Sequence, residues 1–148
     1  MAPVLTEPRT DDFVKALTSA PIAAPATPTI LIADDDDEIR DVIAFKLQVS
    51  GFRTLSADNG RTALSLAVER QPRMIILDVT LPMDGLSVCH ELHARRETAR
   101  IPVLMINGTA RPGDLGLGFA VDADNYLPRP FSQQEMLRRV NCLLMSRP

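Results

Sequence analysis

From residue 29 onward, short apolar runs alternate with segments of helical period, and this alternation repeats five times. The runs 29–33, 52–56, 74–77, 102–106 and 125–127 read as strands, and the third and fourth are continuously apolar, as strands covered on both faces must be. Helical periodicity falls between and after them at about 38–49, 60–70, 86–95, 113–120 and 132–144. Each strand-to-strand passage then needs a crossover, which predicts a parallel α/β sheet with helices on both faces and leaves few topologies. Ser132 and Glu135 are spaced as a capping box at the start of the last helix.

Residues 1–28 differ in kind. Pro3, Pro8, Pro21, Pro25 and Pro28 interrupt them, so we read 1–28 as a Pro/Ala-rich N-terminal extension with the character of a tether, and 29–148 as the folded domain. Within the extension, Thr10-Asp11-Asp12 precedes Phe13, Val14 and Leu17, the signature of a capped helical turn or two able to dock on another surface. At 148 residues the chain has room for one compact domain, and a second catalytic or DNA-binding domain is not expected.

Asp34, Asp35, Asp36 and Asp37 directly follow the first strand, and Asp78 follows the third. Open α/β sheets bind ligands beyond the carboxyl ends of their strands, so these acids can meet at one site. Converging carboxylates repel unless a cation neutralises them. All-oxygen ligands suit a hard cation such as Mg2+, and no adjoining His or Cys points to zinc. For Asp36, Asp37 and Glu38, complementing the positive end of a helix is explanation enough. It does not explain Asp78, a lone carboxylate ending an apolar run.

At this point the chain resembles the receiver domain of two-component signalling, the CheY-like family, from about residue 30 to 145. The resemblance rests on Ile30-Leu-Ile-Ala-Asp34-Asp35-Asp36, on Ile75-Ile-Leu-Asp78-Val-Thr80-Leu-Pro82-Met-Asp84-Gly85, on Ile101-Pro102-Val-Leu-Met105, and on Asp124-Asn-Tyr126-Leu-Pro-Arg129-Pro130-Phe131. It implies a doubly wound, five-stranded flavodoxin-like sheet in the order 2-1-3-4-5 flanked by five helices. It further implies that Asp78 is the phosphoacceptor, a carboxylate nucleophile toward a phosphohistidine on a sensor histidine kinase or a phosphotransfer protein. Asp35 and Asp78 would hold Mg2+ through their side chains, Thr80 through its backbone carbonyl and Asp34 through water.

Three positions depart from the family pattern. Asn107 stands where the family has its switch Ser/Thr, and Arg129 where it has Lys, a planar fork in place of a compact ammonium. The loop from Leu81 to Gly85 is one residue shorter than the commonest form, which bears on metal affinity. Tyr126 occupies the position of the family's rotamer-switching aromatic, or else serves as a rim aromatic between the last strand and the preceding helix. These features predict phosphorylation with a weakened switch.

The expected function is therefore a single-domain response regulator with no enzymatic turnover beyond its own Mg2+-dependent phosphorylation. Its output would be a protein-binding face made by the fourth helix, fifth strand and fifth helix, with homodimerisation left open. A degenerate receiver acting as a phosphorylation-independent interaction module is the alternative. A phosphate-cleaving hydrolase with an Asp nucleophile would need a second Asp where Thr80 stands. The net charge of −3 argues against binding nucleic acid, and the apolar runs are too short to cross a bilayer; a cytoplasmic, untethered protein with reduced cysteines is expected.

Several other features have simpler readings. Gly113, Gly116 and Gly118 do not complete a dinucleotide loop and instead weaken a helix there. His90 and His93 are expected to face solvent, Phe45, Phe52 and Phe119 to be core, and Cys89 to be a small buried hydrophobe.

Overall fold

The computed structural model of the protein describes residues 27–81, 85–107, 125–128 and 131–145. In chain order these form β1 (Thr29–Ala33), α1 (Asp37–Val49), β2 (Arg53–Ala57), α2 (Gly60–Arg70), β3 (Met74–Asp78), α3 (Gly85–Ala94), β4 (Val103–Asn107), β5 (Asn125–Pro128) and α4 (Gln133–Met145). The five strands make one parallel sheet in the order β2-β1-β3-β4-β5. The helix expected at 113–120 and the helical turn expected near Phe13 lie outside the described residues, as do Arg129 and Phe119.

Period-two alternation along the buried strands divides the core in two. Leu31, Ala33, Ile75, Leu77, Val103 and Met105 pack with Ala63 and Ala67 of α2 and Val88, Cys89 and Leu92 of α3. Ile30, Ile32, Met74, Ile76, Leu104 and Ile106 face the other way, onto Ile43 and Leu47 of α1 and Met136, Val140 and Leu143 of α4. Burial on both faces is why β3 and β4 read as unbroken apolar runs. None of the described helices is long and apolar enough to cross a membrane.

Local chemistry sets the helix ends. Asp36 caps α1, its Oδ1 accepting from the backbone N–H groups of Glu38 and Ile39 at 3.0 and 3.2 Å. At the other end Gly51, with φ +100°, lets the chain reverse so that Gly51 N–H donates to the Gln48 carbonyl and Phe52 N–H to the Leu47 carbonyl, both at 3.0 Å. Phe52 is thereby carried against the α1 side of the core. Gln71 ends α2 in the left-handed region at φ 49°, and its side-chain amide donates to the carbonyls of Ala67, Val68 and Glu97. Buried Thr98 closes α3, its hydroxyl donating to the Leu92 carbonyl at 2.5 Å.

Two expectations about side chains are corrected. Phe45 is not core: it is 60% exposed, because it lies two residues from Ile43 and two from Leu47, about 200° around the helix from either. His93 is half-buried, its ring Nδ1 2.9 Å from the Cys89 carbonyl, whereas His90 faces solvent as expected. The capping box is half made. Ser132 Oγ accepts from Glu135 N–H at 3.0 Å, but the Glu135 carboxylate turns forward to Arg138 and Arg139, at 2.6 and 2.8 Å. Arg139 in turn donates to the Tyr126 carbonyl at 2.8 Å, tying α4 to β5.

Hydrogen bonds from Arg138 and then Arg139 hold the Glu135 carboxyl below the usual carboxylate range. A folded-state pKa below the unfolded one gives stability that is complete above the unfolded value and lost as pH falls through the lowered one. Comparing wild type with Glu135→Gln by urea unfolding at low salt should therefore show a small stability gap near neutral pH that closes on acidification. A gap independent of pH would remove Glu135 as its source.

Candidate metal and phosphoryl-transfer centre

The parallel register between β1 and β3 brings two acids side by side. Ala33 pairs with Leu77, so one step further along places Asp34 beside Asp78, on neighbouring chains that run about 4.8 Å apart. Both backbones stay in the ladder at this point, Asp34 N–H donating to the Ala57 carbonyl at 3.0 Å and Val79 N–H to the Ile106 carbonyl at 2.9 Å. The alternation that sends Ile32 and Ile76 toward α1 and α4 sends Asp34 and Asp78 the same way. The chain leaves β1 toward β2 on one side and returns to β3 on the other, so the pair sits at the switch point of the sheet, where open α/β folds leave a crevice.

Asp35 completes the group: carboxylate oxygens of Asp34, Asp35 and Asp78 all lie within 4.8 Å of one another. Asp34 and Asp78 are buried and Asp35 is exposed, which forms a site closed beneath and open to solvent above. A buried pair of carboxylates beside a third, with no nitrogen or sulfur donor among them, is the donor set of a hard divalent cation that keeps some of its waters. The residues fit Mg2+.

Short hydrogen bonds aim these acids. Asp34 Oδ1 accepts from Asp36 N–H at 2.9 Å, and Asp78 Oδ1 accepts from both the backbone N–H and the hydroxyl of Thr80, each at 2.8 Å. Arg40 donates to the Asp34 carbonyl at 2.8 Å and pairs with Asp37 at 2.6 Å, pinning the peptide that joins Asp34 to Asp35. Gly85 lies directly against the strand end, its N–H donating to the Val79 carbonyl at 3.1 Å. A Cβ there would collide with the Asp78 carbonyl oxygen and lie 2.5 Å from Val79 Cα.

Of the residues singled out in the sequence, the fold brings together Asp34, Asp35, Asp78 and Thr80. Asn107 closes β4 in register with Pro128, and Tyr126 is buried in the core on the α2 and α3 side. Arg129 lies outside the described residues. Arg40, the Thr80 hydroxyl and the close approach of Gly85 were not anticipated. Only Arg40 left a sequence signal, the three-residue spacing from Asp37 that allows a helical ion pair.

Residues 30–141 match the response regulator receiver domain family. The DNA-binding dual master transcriptional regulator RpaA of Synechocystis sp. is 43% identical over 118 residues, covering 79% of this chain and 49% of its own length. The chain spans about half the length of the curated relatives it matches. Among solved structures, the chemotaxis response regulator CheY4 of Vibrio cholerae superposes with a TM-score of 0.74 at 28% identity, covering 80% of this chain and 99% of its own. The receiver domain of a Pseudomonas aeruginosa sensor histidine kinase, with a magnesium ion coordinated in its active-site cleft, does so with a TM-score of 0.75 at 26% identity, covering 81% and 99%.

Gly85→Ala should displace the backbone of Asp78 and Val79 or cost stability, on the order of 1–3 kcal/mol for overpacking against a fixed main chain. Equilibrium unfolding together with the amide shifts of Val79 and Thr80 measures both effects. An alanine variant with unchanged stability and unchanged shifts would show that the loop yields freely.

Proposed function

Because the chain belongs to the response regulator receiver domain family of two-component signalling, we propose that Asp78 accepts a phosphoryl group from a histidine kinase or phosphotransfer protein. The observation that carries this reading is the convergence of Asp34, Asp35 and Asp78 at the switch point of the sheet. In the transfer, an Asp78 carboxylate oxygen attacks phosphorus and the new O–P bond forms. The N–P bond of the donor's phosphohistidine breaks, its electron pair returns to the imidazole nitrogen, and a proton taken up from solvent by the ring leaves a neutral histidine beside the new acyl phosphate. The two donors from Thr80 fix the orientation of the Asp78 carboxylate before attack, so little reorganisation is left for the encounter.

Asp34, Asp35, Asp78 and the Thr80 carbonyl are the proposed Mg2+ ligands, with Asp34 acting through water. Bound there, the ion would supply neutralising charge for the phosphoryl oxygens. Arg129 and Asn107 are the proposed phosphoryl contacts, and Tyr126 the aromatic that responds to them. Signalling would then pass to a protein partner through the face built by the segment preceding β5, β5 itself and α4. We place this activity in the cytoplasm.

Asp35→Asn should weaken Mg2+ binding about tenfold or more, equivalent to about 1.4 kcal/mol, because a charged ligand on the open side of the site is lost. Calorimetric titration of both proteins measures it, and equal affinities would defeat the assignment. With Mg2+ and beryllofluoride, a mimic of the phosphorylated carboxylate, amide signals around Asp78 should shift in the wild type and remain still in Asp78→Asn. A silent wild type would leave the phosphorylation-independent interaction module as the reading that stands.

A further inference from the structure

α1 carries more apolar surface than its own packing uses. Ile43 and Leu47 are buried, yet Val42, Phe45 and Val49 are 50%, 60% and 69% exposed and continue one side of the same helix. Beside them, between α1 and the start of α4, runs a groove of about 370 Å³ whose walls are Ile39, Val42, Ile43, Phe131 and Met136. Glu38 and Lys46 stand at its margins, one acidic and one basic. A mixed-charge rim around an apolar floor fits a short amphipathic helix.

We propose that the occupant is a segment of this chain itself, residues 10–17. Phe13, Val14 and Leu17 supply apolar side chains at helical spacing behind a Thr10-Asp11-Asp12 start. Asp11 and Asp12 give the segment two acidic charges to set against Lys46, and Lys15 one basic charge to set against Glu38. The tether is long enough. Residues 18–26, extended at roughly 3.3 Å per residue, span about 30 Å, whereas rising past the five residues of β1 takes about 17 Å. Pro21 and Pro25 favour that extended form. Through so short a tether the effective concentration is on the order of 1 mM, so a contact too weak to hold a separate peptide is substantially populated within the chain. The docked segment covers the face of α1 and withholds it from other proteins. This inference is independent of whether Asp78 is phosphorylated.

The test uses the full chain with Cys142→Ser, which removes the exposed thiol, and a nitroxide attached at Thr18→Cys; Cys89 is buried. Amide signals of Ile39, Val42 and Lys46 should lose most of their intensity, independently of protein concentration, while those of Arg61 and Ser65 on α2 do not. Adding Phe13→Ser and Leu17→Ser should restore them. Broadening that survives those two substitutions would show that the tether alone brings the label near, and would overturn docking. Two further results would also overturn it: no broadening on α1, or broadening that appears in a mixture of nitroxide-bearing and isotope-labelled chains, which would make a second copy the occupant.

Discussion

Mutual repulsion of three carboxylates is the constraint around which the rest of the chain is arranged. Within the 4.8 Å that separates them, each ionised pair costs at least about 3.5 kcal/mol at an effective dielectric constant of about 20. The fold accepts that cost because two of the three are fixed by sheet register, which the apolar alternation of β1 and β3 determines. Slipping either strand by one residue would turn its acid to the opposite face and exchange the side chains now packed on α1 and α4 with those packed on α2 and α3. Core packing therefore enforces the site, and a cation held there would offset the repulsion that packing imposes.

Donors already in place lessen that repulsion. The Asp36 and Thr80 N–H groups each serve a carboxylate oxygen, and Arg40 holds the Asp34 carbonyl from the first turn of α1. Each comes from a residue within six positions of the acid it serves. The centre is thus two local turns brought together by a non-local sheet. Its geometry is set where the strands end.

The parallel sheet and the acidic triad were legible in the sequence because they follow from periodicity and from acids placed at strand ends, whereas the strand order came with the resemblance to receiver domains. Strand limits shifted by a residue where the apolar run and the hydrogen-bonded ladder disagree: Asp78 and Asn107 end their runs but still pair through their backbones. Phe45 shows the other way a reading fails. Its hydrophobicity suggested the core, while its phase on α1, set by Ile43 and Leu47, turns it outward. The forward turn of Glu135 was hidden for a related reason, since the same carboxylate could cap its own helix or pair with Arg138 and Arg139, and spacing permits both. Gly85 gave no sign of its close approach to Asp78, because that contact exists only once β3 and α3 are folded against each other.

The edge of the sheet at β2 carries a different consequence. Among the described residues β2 is paired on one side only, by β1, and the strand is five residues long, with Arg53 and Ser56 exposed and Leu55 only partly buried. A short edge bearing a charge at its start is a poor template for another chain's backbone. Lateral growth of the sheet into fibrils is disfavoured at that edge.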